Sequence, residues 1–381
     1  MTTVWVILAA ILLTLGVIAL LAWLGRGTEQ ESRELLLART MGRLFEGDTE
    51  QALEDLRALY RRSGQDAGIG LALGVLFRRS GKIRMALRTH LGLNTRPNLD
   101  DPMRALILTE LGADYLESGL LERARQSLEE AQALAGPTEH LARYGQRTYA
   151  RLGEWDQAQK LVAAYGKRAG VDVKQRMAML RNEQGESEWR EQRLDEADTA
   201  FRKALSLWSG CLPAILNHCR YLRHVEKAAK ALTFLNKQRK HFEGHEWLYH
   251  KEAMKIAMAL EDHQVFVEPA KTRLQEDPDD WRTRAVLGSF LLETGAFEEA
   301  GNYLREALEI SPQTLLLHQK MWDLILRVDD LDRFRVYREF VRHSVRFSDP
   351  YECRACGFHS AKLLWQCPSC FQDGGFVERK I

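Results

Sequence analysis

Residues 111–131 read LGADYLESGLLERARQSLEEA. Apolar residues recur at helical spacing on both sides of Gly119, and five positions after that glycine stands Ala124. Each residue type has a physical task. Glycine supplies the left-handed backbone that ends one helix, and alanine lets the next helix approach the first closely. The stretch therefore predicts a tight helical hairpin. The same pair recurs as Gly47 with Ala52, Gly81 with Ala86, Gly153 with Ala158 and Gly295 with Ala300, and the first four glycines stand 34, 38 and 34 residues apart.

A period of about 34 residues is that of tetratricopeptide-type hairpins. Further positions of that pattern are clearest at Leu111, Gly112, Tyr115, Gly119, Ala124 and Ala131, and again at Leu287, Gly288, Gly295, Ala300, Ala307 and Pro312. A degenerate copy surrounds Gly185, Ala197, Phe201 and Ala204, with Gln192 where the turn glycine belongs. Between 211 and 276 the match is poor, and helix pairs are expected there from apolar spacing alone, as in Tyr221 to Leu235. Pro278 and Pro312 should follow helix ends. One hairpin cannot bury its apolar face by itself, so neighbours must stack. The expected fold class is all-α: a tetratricopeptide-type α-solenoid whose concave surface is open to a peptide or protein, the alternative being a rigid spacer.

Composition agrees with a helical, core-forming chain: of 381 residues, 45% are hydrophobic and 28% charged, and Pro is scarce. A formal charge of +1 creates no global field for nucleic acid, and no nucleic-acid partner is expected. From Val4 to Leu24 the chain carries no charge. As a helix this stretch would be roughly 30 Å long, enough to cross a bilayer. Trp5 and Trp23 sit near its ends, and Gly25-Arg26-Gly27-Thr28 follows in place of a small-x-small cleavage site. Arg26, Arg33, Arg39 and Arg43 come after it, which by the positive-inside bias puts the bulk of the chain in the cytoplasm.

Four of the six cysteines crowd into one place as Cys353-x-x-Cys356, ten residues, and Cys367-x-x-Cys370. Each CxxC makes a tight turn that aims two thiolates at one ion, and two such turns close a tetrahedral four-sulfur site. With no histidine and no open position the site is structural, so it is assigned no Lewis-acid role; one ion is expected, zinc first and iron second. Gly357 permits the positive dihedral after the first pair; Phe371 stands at that place in the second, where Pro368 stiffens the turn. A module of about thirty residues has too little core to stand alone, and its Phe358, Leu363, Leu364 and Trp365 are expected to dock on the last helices of the solenoid. The domains expected are a transmembrane anchor over 1–25, the solenoid over 26–347 and the four-cysteine module over 348–381.

Other residues carry less. The basic run from Arg57 to Arg88, interrupted by Asp66 alone, reads as a solvated helix face or as a patch for membrane lipid. Arg335, Arg338, Arg342 and Arg346 form a stripe beside Phe334, Tyr337, Val341 and Val345, so one stripe should pack and the other face outward. His241 and His245 are separated by Gly244 and lack an acidic third ligand, and Cys211 and Cys219 read as buried small apolar residues. No phosphate loop, nucleophile elbow, HExxH or paired-carboxylate motif is present, so no catalytic residue is assigned.

The order anchor, tetratricopeptide array, rubredoxin-like terminus resembles lipopolysaccharide assembly protein B of Gram-negative bacteria. The likeness is sharpest at Leu73-Gly74-Val75-Leu76-Phe77-Arg78 with Gly81, at Leu111-Gly112-Ala113-Asp114-Tyr115, and from Cys353 to Cys370 with Trp365. It implies a non-catalytic regulator of lipopolysaccharide synthesis at the inner membrane. The implied partners are a membrane-bound AAA+ protease, the lipid A pathway deacetylase presented to it, and other inner-membrane lipopolysaccharide assembly proteins. The competing expectation is electron transfer through an iron centre in the same four cysteines.

Overall fold

A computed structural model of the chain describes residues 33–63, 65–328, 331–344 and 349–378. The apolar stretch Val4–Leu24 lies outside the described residues, and among these no helix is long and apolar enough to cross a membrane. The chain divides into two compact units, Met1–Tyr144 and Gly145–Ile381.

In chain order the helices are α1 (Arg33–Phe45), α2 (Thr49–Arg62), α3 (Ala67–Arg79), α4 (Ile83–Asn94), α5 (Asp101–Glu117), α6 (Leu121–Ala135), α7 (Glu139–Leu152), α8 (Trp155–Ala169) and α9 (Lys174–Arg190). They continue as α10 (Leu194–Leu207), α11 (Leu212–His224), α12 (Ala228–Gln238), α13 (Glu246–Leu260), α14 (Gln264–Glu276), α15 (Trp281–Glu293), α16 (Phe297–Ile310), α17 (Leu315–Val328) and α18 (Leu331–Ser344). Among the described residues, strands occur only at the C-terminus. There β1 (Tyr351–Cys353), β2 (His359–Ser360) and β3 (Phe376–Glu378) form an antiparallel sheet in the order β2-β1-β3, with Cys353 opposite Phe376. The all-α repeat class with a small cysteine-rich module is thus the observed one.

Every hairpin from α1/α2 to α15/α16 turns on a residue with positive φ: Gly47, Gly81, Gly119, Gly153, Gln192, Glu226, Glu261 and Gly295. Three of the eight are not glycine, and two of those lie in the stretch where the repeat was least visible. There the break between α11 and α12 falls at Glu226, inside the segment Tyr221–Leu235. The residue five positions on is fully buried alanine in all but one case: Ala52, Ala86, Ala124, Ala158, Ala197, Ala231 and Ala300, with Phe266 after Glu261. Pro278 and Pro312 do follow helix ends.

Close approach within a hairpin is enforced from the other side as well. A Cβ at Gly112 would meet the Leu128 side chain at 2.5 Å, one at Gly185 would meet Phe201 at 2.4 Å, and one at Gly74 would meet His90 at 2.2 Å. His90 therefore occupies the slot filled by Leu128 in the α5/α6 hairpin and by Phe201 in the α9/α10 hairpin. Its Nδ1 lies 2.6 Å from Asp114 Oδ2 and its Nε2 3.2 Å from the Leu71 carbonyl. Arg78 donates to Asp114 Oδ1 at 2.7 Å, to the Tyr144 hydroxyl at 3.3 Å and to Glu110, which also meets His140. All of Arg78, His90, Glu110 and Asp114 are almost wholly withdrawn from solvent. Against the upward pull of burial, the His140 and Arg78 donors hold the Glu110 carboxyl down to about 2. Arg78 thus belongs to the first unit's interior, unlike the solvated face expected for the Arg57–Arg88 run, whose Arg61, Arg62, Arg79, Arg84 and Arg88 are exposed.

Removing one partner from such a network leaves uncompensated buried charge, so Arg78→Leu should lower the unfolding free energy of the first unit by about 3–5 kcal/mol. Urea denaturation monitored at that unit measures it; a loss below about 1 kcal/mol would show that the carboxylates are rehydrated at little cost.

Candidate metal centre

Two short loops build the site. Cys353 ends β1, the chain reverses at Gly357 with φ 71°, and the Gly357 amide donates to the Cys353 carbonyl at 2.8 Å. The second loop repeats the geometry residue for residue. Phe371 has φ 63° and its amide donates to the Cys367 carbonyl at 2.8 Å. The side chain missing from the glycine-type pattern does not alter the backbone. Instead the strained conformation, which costs a non-glycine residue roughly 1 kcal/mol, is accompanied by a contact: the Arg147 guanidinium of α7 lies 3.3 Å from the Phe371 ring centroid.

The loops bring Cys353, Cys356, Cys367 and Cys370 together with all four Sγ atoms within 4.8 Å of one another. The Cys353–Cys370 and Cys356–Cys367 sulfur pairs are each 3.6 Å apart. A tetrahedron with metal–sulfur bonds of about 2.3 Å has edges of about 3.8 Å, so the donor set fits one four-coordinate ion. No other group of three or more potential ligands occurs among the described residues, and His241 and His245 are not gathered into one.

The thiols are poised unequally. Although burial opposes it, the Ala355 and Cys356 amides and the Cys370 thiol hold Cys353 below the ordinary thiol range. Cys367 is raised, first by burial, and Cys370 is pushed up to about 12 by burial and by the neighbouring Cys356 and Cys353 sulfurs. Four sulfurs so close resist losing four protons together, and a divalent cation removes that conflict. Cys211 and Cys219 stand apart, buried as small apolar residues; burial pushes the Cys211 thiol up to about 11.

Where the module docks differs from the expectation. Among the described residues it packs on earlier helices. Trp365 packs with Met179, Ala204, Cys211 and Ala214, and Leu363 and Trp365 join the core of α11–α15 around Ile215, Phe266 and Phe290. Glu378 pairs with Arg282 of α15. Leu364 faces inward with Tyr351 and Phe376, while Phe358 meets Phe376 edge-on. With Arg147 on α7, Met179 on α9, Ala214 on α11 and Arg282 on α15, the module meets four helices that are each the first of their hairpin. No local pattern in the chain announces this, because the docking residues are far apart in sequence. On α18, Tyr337 and Val341 pack as anticipated, yet Phe334 remains exposed; Arg335 and Arg338 face outward.

Helix hairpins closed by left-handed turns, followed by a small module that gathers four cysteines, define an all-α tetratricopeptide-type array with a cysteine-rich C-terminal module. Residues 351–372 match the family described as the rubredoxin metal binding domain, and 282–314 match the tetratricopeptide repeat. Over most of its length the chain resembles lipopolysaccharide assembly protein B. It is 25% identical to that of Haemophilus influenzae over 315 residues, covering 79% of this chain and 76% of the relative. It is 25% identical to that of Escherichia coli K12 over 321 residues, covering 79% and 78%. Among solved structures, a tetratricopeptide repeat protein from Parabacteroides merdae is 14% identical, with 77% of this chain and 98% of that one covered and a TM-score of 0.35. MamA from Desulfovibrio magneticus is 18% identical over 46% of this chain and 94% of that one, with a TM-score of 0.37.

Replacing Phe371 by Gly should relax the backbone but release the Arg147 contact. Metal content is then expected to be unchanged while limited proteolysis within residues 349–378 accelerates several-fold; lost metal would contradict the division of roles. A second expectation concerns pH. Burial and the Asp373 carboxylate push Glu183, on the docking face of α9, up to about 7 against the pull of Arg147. Since this lies above the ordinary 4.5, its contribution to stability is complete below pH 4.5 and is lost as pH rises through 7. Glu183→Gln should therefore gain stability relative to the parent as pH goes from 5 to 8. A pH-independent difference between the two melting curves would contradict this.

Proposed function

We propose that this chain is a non-catalytic adaptor in lipopolysaccharide assembly. The observation that carries the reading is the combination of a hairpin array with a closed four-cysteine module packed on it, in a chain that resembles lipopolysaccharide assembly protein B over about four-fifths of its length. Stacked hairpins expose a long surface suited to binding proteins. The four thiolates Cys353, Cys356, Cys367 and Cys370 would hold one ion with no coordination position left for a substrate, and zinc suits a site whose work is to fold and fasten. The family model matched by residues 351–372 is a zinc-ribbon model, which favours zinc over iron.

In this reading Val4–Leu24 anchors the chain in the inner membrane with the hairpins on the cytoplasmic side. There the array gathers its partners: the deacetylase of the lipid A pathway, delivered to a membrane-bound AAA+ protease, and other inner-membrane assembly proteins. The residues contribute binding and positioning alone.

Crosslinking in intact membranes followed by affinity purification tests the proposal. The full chain should recover both the protease and the deacetylase, and the Cys367→Ser/Cys370→Ser chain should recover markedly less of at least one. Depletion of the protein should lengthen the deacetylase half-life. An unchanged half-life together with recovery of neither enzyme would overturn the adaptor reading, and an intensely coloured, reversibly reducible purified protein would favour the electron-transfer alternative.

A further inference from the structure

Among the described residues helix α1 packs chiefly on α2, and it carries exposed apolar residues besides those it buries there. Leu36 and Thr40 are buried where α1 packs on α2. Turned away from them, at spacings of four, three and one, stand Leu37, Met41, Leu44 and Phe45, which are 42%, 51%, 41% and 86% exposed. Leu35, 57% exposed, lies at the start of the same helix. A helix apolar on both sides ordinarily lies between two partners, and so large a strip on a single helix marks an interaction surface. The charges that could border it are held elsewhere. Arg39 and Arg43 both reach Asp55 of α2, at 3.2 and 2.5 Å.

What can cover this strip follows from the chain that leads to it. The uncharged stretch ends at Leu24 and α1 begins at Arg33. The residues between them, fully extended, span at most about 30 Å. If Val4–Leu24 crosses the bilayer, as the proposed function holds, α1 is tethered within that distance of the lipid surface. We infer that α1 lies in the membrane interface with Leu37, Met41, Leu44 and Phe45 inserted among the lipids. A helix held this way buries its apolar side about 5–10 Å into the boundary of headgroups and acyl chains. Because Arg39 and Arg43 are engaged with Asp55 and the strip itself is uncharged, the attachment is apolar in origin. It is indifferent to salt and to lipid charge, unlike a polybasic patch. The inference rests on the anchor reading but makes a separate claim about α1.

The test uses the full chain reconstituted into phosphatidylcholine vesicles, with the fluorophore NBD placed on Met41→Cys, on Phe45→Cys, or on Lys203→Cys as an exposed control in the second unit; the unsubstituted chain treated alike supplies the background. Labels on positions 41 and 45 should emit at shorter wavelength and be quenched at least threefold more by nitroxide-bearing lipids than by aqueous iodide. The control should show the reverse. Adding phosphatidylglycerol or 0.5 M salt should change neither result. Iodide-accessible labels at 41 and 45 would overturn the inference, as would labels reached by neither quencher, which would mean that protein covers the strip: residues 1–32, a second copy or a partner. Release of the chain by alkaline carbonate would overturn the anchor reading and this inference together. Protein retained in the vesicles with water-exposed labels would overturn this inference alone.

Discussion

Each hairpin depends on how closely its two helices can approach. The turn residue adopts positive φ, and the residue five positions later is a buried alanine except for Phe266 after Glu261. At Gly74, Gly112, Gly145, Gly185 and Gly288 a large side chain from the second helix enters a slot that a Cβ on the first would close. When Leu128 or Phe201 fills the slot, the hairpin gains ordinary apolar burial. When His90 fills it, the slot becomes polar, and Asp114, Arg78 and Glu110 are drawn in to satisfy it. The segments Leu73–Arg78 and Leu111–Tyr115 are therefore linked physically: they hold the glycine that admits the imidazole and the charges that surround it.

The same constraint explains what could be read in advance. Turn glycines at 47, 81, 119, 153 and 295 were legible because only their residue type was needed. At 192, 226 and 261 the backbone takes the same left-handed conformation with Gln or Glu, at a cost that hairpin packing outweighs, so the glycine signal vanishes while the geometry persists. The surviving signal was the buried alanine, which Ala231 still shows five positions after Glu226. The four cysteines were legible for a similar reason, since their spacing is set by local loop geometry. The Arg78 network and the docking face of the module were not, because both join residues separated by one or more repeats, and a basic run looks alike whether solvated or buried.

Docking changes what the cysteine module contributes. On the last helices it would cap the array. Lying across the first helices of several hairpins, it ties Arg147, Met179, Ala214 and Arg282 to one small sheet. Phe371 serves both purposes, since its backbone shapes the second loop and its ring meets Arg147. The face so occupied is withdrawn from other ligands, and the second unit's remaining surface must supply whatever partners bind there. The ion proposed for the four sulfurs would then act at a distance, by fixing the sheet that holds Trp365 and Leu363 in place.

Hydrogen–deuterium exchange of the full chain before and after metal chelation tests that brace directly. The account predicts lost protection in residues 351–378 accompanied by faster exchange in α9 and α11 around Met179 and Ala214, while α3 to α5 of the first unit stay unchanged. Exchange in α9 and α11 that does not respond when the metal is removed, or a module that stays protected without it, would contradict the account.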